Sequence, residues 1–121
     1  MVKHGDIYNI NAWIGLSTHT PLHKDPYHNI FAQLYSRKNV IIFPPTAHGS
    51  LQLHSDRLLK NTSRIRDIFE PHERNRMDPE VLAGASEATI ETGDGLYIPE
   101  GWFHSFKGDQ GVSSSVNWWF R

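Results

Sequence analysis

Apolar and polar positions alternate with a period of two through the first third of the chain and again through its last third. Between those regions the alternation is lost. "IYNINAWIGL" (7–16) alternates and is rich in β-branched and aromatic residues, the composition of a half-buried strand. "STHTP" breaks it, "HNIFAQLYS" (28–36) alternates again, and "RKNVIIFPP" (37–45) is a nearly continuous apolar strand closed by two prolines. From Thr46 to about Ala88, Pro, Gly, His and charged residues dominate, and only short helical patterns such as "SDRLLKN" and "DPEVLAG" can be drawn. This stretch, roughly 46–88, is expected to be a surface insertion with one or two short helices. Strand character returns in "EATIETGDGLYIPEGWFHSFKGD", where "TGDG", "PEG" and "KGDQG" are turn signals with glycine available for positive φ. "VSSSVNWWF" closes the chain. About eight short strands with little helix predict an all-β sandwich, jelly roll or small barrel.

Composition narrows the chemistry. At 121 residues the chain is expected to be one domain with a single core. A formal charge of -1 implies no broad surface for nucleic acid or anionic lipid. The absence of cysteine excludes disulfides, thiolate-held zinc and thiol catalysis, and fits a cytoplasmic or nuclear location. No apolar run approaches the roughly 20 residues that span a bilayer, and no signal-peptide pattern is present, so a soluble protein is expected. Eight histidines supply many potential ligands, and the pair of indoles in "NWWFR" makes the last strand part of the core.

Leu-His-x-Asp occurs twice, in "PLHKDPY" (21–27) and "QLHSDRL" (52–58). With this composition the His-x-Asp pattern is expected by chance roughly half a time, so context must separate the copies. His23 and Asp25 stand where a turn enters a strand, and alternation points both to one face, shared by Asn29 if no bulge intervenes. His54 and Asp56 lead into a possible helix, where Ser55 or Asp56 would be an N-cap and the histidine a surface residue. His104, in "PEGWFHSF", is the best candidate for a third ligand, although a lone histidine on such an aromatic strand is more often a satisfied core residue. Two histidines and a carboxylate form the facial triad of non-haem Fe(II), and catalytic zinc accepts the same set. Lys38 heads an apolar strand with Val40 and Ile42 on its face: it is either a solvated strand-end charge or an inward cation that needs an anion.

Taken together, "AWIGL", "TPLHKDPYHNIFAQLYSRK", "IIFPP", "LLKNTS", "TGDGLYIPEGWFHSF" and "SVNWWF" resemble the JmjC family of Fe(II)- and 2-oxoglutarate-dependent oxygenases, in particular its small hydroxylase branch. The wording is most similar to the arginyl-hydroxylase type. The resemblance implies a double-stranded β-helix, the cupin-like form of the jelly roll. It implies His23, Asp25 and His104 as iron ligands and thereby the catalytic centre. It also implies Lys38 and Thr20 on the far carboxylate of 2-oxoglutarate, Asn29 and Asn117 lining that site, and Trp119 as an aromatic wall beside it. O2 and a protein or peptide, with arginine the first side chain to consider, would be the other reactants. Relatives carry N- and C-terminal flanks, among them a tyrosine that contacts 2-oxoglutarate; this core is expected to lack them, leaving exposed edges and a possible route to a homodimer. Two other readings are a non-catalytic metal-binding interaction module and a metal-dependent cupin isomerase. A relative acting on transfer RNA gains no support from the near-neutral charge.

Overall fold

The computed structural model describes residues 6–121. Eight strands form two four-stranded antiparallel sheets. Sheet 1 has the order β1 (Ile7–Leu16), β8 (Val112–Phe120), β3 (His28–Tyr35), β6 (Gly95–Ile98). Sheet 2 has the order β2 (His23–Lys24), β7 (Phe103–Gly108), β4 (Lys38–Phe43), β5 (Ser86–Ile90). Sequence neighbours therefore alternate between sheets except β4 and β5, which pair with each other within sheet 2, and the result is the expected all-β double-stranded β-helix. β8 pairs with both β1 and β3, which explains why a chain terminus carries so many apolar residues.

Between the sheets, Phe31, Val40, Ile90, Ile98 and Phe106 form a buried cluster, with Phe31 and Phe106 stacked at 4.3 Å. A second cluster lies on the other face of sheet 2. There Ile41, Phe43 and Phe103 pack with Leu22 and with Ala47, Leu51, Ile65, Ile68 and Met77. These last five belong to the 46–88 stretch, which corrects its reading as a surface insertion: its scattered apolar residues cover one face of sheet 2. Their spacing follows no helix or strand period because most of the stretch is turn and 3-10 helix (Pro45–Ser50).

The helices also differ in part from expectation. "DPEVLAG" forms α2 (Pro79–Ala83), with Asp78 Oδ1 accepting from the Glu80 N–H. A further one-turn helix, α1, occupies Pro71–Asn75. "SDRLLKN" is a series of turns. Asp56 Oδ1 accepts the Leu58 N–H at 2.7 Å, as a cap would, but Thr62 bridges to His23 and Asn61 O accepts the Lys24 N–H, so this backbone pairs with β2 and cannot propagate a helix. The "TGDG" and "PEG" turns use positive φ at Gly93 and Gly101, as anticipated.

Candidate metal and co-substrate site

β2 is only two residues long, yet backbone partners on both sides hold it. His23 pairs with His104 on β7, and on its other side with Thr62 of the insertion. Pro26 and Tyr27 then end the strand in a bend, so Asp25 stays with sheet 2 while Asn29 begins on sheet 1. The conditional expectation that His23, Asp25 and Asn29 share one strand face is thus replaced by convergence from two sheets. The Gly101 N–H donates to Asp25 O, tying the "PEG" turn to the same corner.

His23, Asp25 and His104 offer ligand atoms that all lie within 4.8 Å of one another. Asp25 Oδ2 is 3.6 Å from His23 Nε2 and 3.4 Å from His104 Nε2. The opposite ring nitrogens are engaged: Nδ1–H of His23 donates to Pro21 O at 2.7 Å, and that of His104 to Trp102 O at 3.1 Å. Those bonds set the tautomer in which each neutral ring turns an Nε2 lone pair to the centre. Burial would raise the Asp25 carboxyl, but hydrogen bonds from His104 and His23, and their charges, hold it well below the usual carboxylate range. For His23, burial lowers the pKa, and the hydrogen bond and charge of Asp25 together with the Pro21 carbonyl more than offset this, raising it above 6.5. A metal cation at the centre would take the place of a proton there, and two imidazoles with one carboxylate are a donor set that fits one.

The three groups line a cavity of about 370 Å³ together with Thr20, Asn29, Lys38, Asn117 and Trp119. All eight residues singled out in the sequence therefore meet in one space. Lys38 points inward and is 4% exposed; its ammonium lies 5.5 Å from the Phe31 ring and has no anionic partner among the described residues. Desolvation by burial lowers its pKa. Thr20 Oγ1 accepts the Phe106 N–H at 2.9 Å, which leaves its own proton free to donate. The Trp119 indole N–H is buried without an acceptor among the described residues. A buried cation and unused donors in one cavity fit an oxyanionic ligand.

Three further contributors escaped the sequence reading. Trp13 and Thr18 line the cavity, and Gly108 stands opposite Lys38 in register. A Cβ on Gly108 would come 2.6 Å from Thr18 Oγ1 and 3.7 Å from Lys38 Cγ, so only glycine lets β7 pass this close. Trp13 had a visible signal, an aromatic on the same alternation as Asn11; Thr18 and Gly108 had none, because both depend on cross-strand contact. His54 lies in the insertion and bonds through its backbone to Thr62; it is not among the cavity residues.

The Cupin-like domain family matches residues 3–121. The chain is 34% identical to the lysine-specific demethylase JMJ30 of Arabidopsis thaliana, over 98% of this chain and 27% of that protein. It is 30% identical to the Jumonji C domain-containing protein 5 of Drosophila melanogaster, over 92% of this chain and 27% of that protein. Among solved structures it is similar to YcfD, a ribosomal oxygenase from Escherichia coli, with a TM-score of 0.59 at 17% identity, covering 95% of this chain and 23% of that one. The chain thus spans about a quarter of the length of these relatives. Among the described residues no helix is long and apolar enough to cross a membrane. With the family matched along nearly its whole length and the double-stranded β-helix closed around two histidines and an aspartate, this chain belongs to the cupin-like domain family, in its JmjC branch.

Proposed function

We propose that this domain is an Fe(II)- and 2-oxoglutarate-dependent oxygenase that hydroxylates a protein side chain, with arginine the first substrate to test. The observation that carries the proposal is the presence, in one cavity, of a His-Asp-His cluster and a buried lysine without an anionic partner among the described residues. His23, Asp25 and His104 would hold the metal on one face and leave positions open to the cavity. Lys38 and the free hydroxyl proton of Thr20 would take the far carboxylate of 2-oxoglutarate. Asn29, Asn117 and Trp119 would form the walls that orient it. The chemistry that metal and co-substrate supply when bound is O2-dependent decarboxylation of 2-oxoglutarate to succinate and CO2, coupled to insertion of an oxygen atom into a substrate C–H bond. The chain's own work is to hold the donors in place and keep water from the reacting space.

Anaerobic titration with Fe(II) and 2-oxoglutarate should give a visible charge-transfer band, and admission of air should give succinate. Neither signal from folded protein would exclude the reading. Lys38→Ala separates it from a non-catalytic metal-binding module: the enzyme loses 2-oxoglutarate binding and keeps the metal, whereas the module is indifferent. Because relatives are named lysine-specific demethylases, methyl-lysine peptides form the second substrate class. Formaldehyde release would mark demethylation, and retention of the added oxygen on an arginine peptide would mark hydroxylation.

A further inference from the structure

Three side chains on three neighbouring strands of sheet 1 form an unbroken hydrogen-bond relay. The Trp13 indole N–H on β1 donates to Asn117 Oδ1 on β8 at 2.7 Å. Asn117 Nδ2 donates to Asn29 Oδ1 on β3 at 3.0 Å. Asn29 and Asn117 are 4% and 2% exposed, so little water can substitute for a wrong pairing. An amide can flip, exchanging donor for acceptor, but an indole N–H only donates. The relay therefore begins at a group with fixed polarity. Asn117 must turn its oxygen to Trp13, its nitrogen is then what faces Asn29, and Asn29 must answer with oxygen. The one group left over is Asn29 Nδ2, which has no acceptor among the described residues on a side chain that lines the cavity.

We propose that Trp13 is a positioning residue that sets the polarity of this relay, so that Asn29 presents N–H donors, not a carbonyl oxygen, to an oxyanionic ligand in the cavity. The identity of that ligand as 2-oxoglutarate rests on the proposed function; the relay rests on the hydrogen bonds alone. Lys38 supplies charge from sheet 2, and Asn29 adds a neutral directional donor from sheet 1. Without the indole N–H, the two buried amides remain paired with each other but are free to invert together, and inversion would aim the Asn29 oxygen at the ligand's own oxygens. Trp13 thus acts through Asn29, so its effect should vanish when Asn29 can no longer donate.

The test is a double-mutant cycle with Trp13→Phe, which keeps an aromatic ring and removes the N–H, and Asn29→Ala. On Mn(II)-loaded protein, calorimetry should show each single variant weakening 2-oxoglutarate binding about tenfold, with the double variant no weaker than Asn29→Ala. Mn(II) affinity should stay within about twofold of the parent's. Additive losses, or a Trp13→Phe protein that binds as tightly as the parent, overturn the proposal. A second measurement needs no co-substrate: in apo-protein the Trp13 indole proton should exchange slowly by NMR, and quickly in Asn117→Leu. If the parent binds no 2-oxoglutarate, the oxygenase reading fails, and the relay is judged by the indole; equal exchange in both proteins overturns it.

Discussion

The two sheets obey one alternation rule and meet different fates on their outer faces. Outside sheet 2, Ile41 is 0% exposed under the insertion. Outside sheet 1, Ile10, Trp118, Ile30 and Tyr97 stand in one cross-strand row, and Ile10, Ile30 and Tyr97 are exposed, as are Ile14, Leu16 and Leu34. Inside, the contrast turns to charge. Sheet 2 and the turn after β2 bring Lys38, His23, His104 and Asp25, while sheet 1 brings Asn29, Asn117, Trp13 and Trp119, all neutral. The charged groups sit on the sheet that is packed on both faces, where backbone shifts are most resisted; precise ligand placement needs that rigidity.

The largest effects should come from the charged wall. His104→Ala should weaken metal binding by about a hundredfold or more, measured by Mn(II) titration, because two remaining ligands no longer fix the ion. Gly108→Ala comes next: the added methyl meets Thr18 and crowds the Lys38 stem, so 2-oxoglutarate affinity should fall about tenfold while metal affinity is retained. A pair of isoleucines then measures the outer faces directly. Ile41→Ala should cost about 3 kcal/mol in denaturant unfolding, whereas Ile14→Ala, 78% exposed, should cost less than about 0.5 kcal/mol. Similar losses at both positions would mean that something covers sheet 1 in solution.

The smallest effect concerns the clasp that holds the insertion to sheet 2. Asp67 accepts a hydrogen bond from Lys107 at 2.5 Å and lies 3.7 Å from His19 on the cavity rim. Burial would raise its carboxyl, but the Lys107 bond, the Phe69 N–H and the charges of His19 and Lys107 bring it below its ordinary 3.8. Since the folded value is the lower one, this contribution is complete above the unfolded carboxyl's value. It is lost as pH falls from there through the folded value. Asp67→Asn should therefore lower stability by about 0.5–1 kcal/mol at neutral pH, and the difference from the parent should shrink below about pH 4.

Strand positions were legible because alternation with period two is a local property of the backbone. It put Lys38 on one face with Val40 and Ile42 but left open whether that strand-end lysine was solvated or buried, which the structure decides. The eight candidate site residues were legible mainly through resemblance, since spacing joins His23 to Asp25 but cannot join that pair to His104, far along the chain. The insertion was misread because its apolar residues follow no period: Ala47, Leu51, Ile65, Ile68 and Met77 come together only when turns fold them over Ile41 and Phe43. "SDRLLKN" failed as a helix for a related reason, its backbone partners being supplied by β2.

The sequence by itself determined which segments become strands, which faces of them are apolar and which side chains are chemically able to bind a metal, because these depend on local stereochemistry and residue type. Only the tertiary structure decided that Asp25 and Asn29 approach one cavity from opposite sheets, that Trp13 fixes the polarity of two buried amides, and that one outer face is covered while the other is open. Those outcomes depend on which strands become neighbours, and neighbours in space are set by the packing of the whole chain.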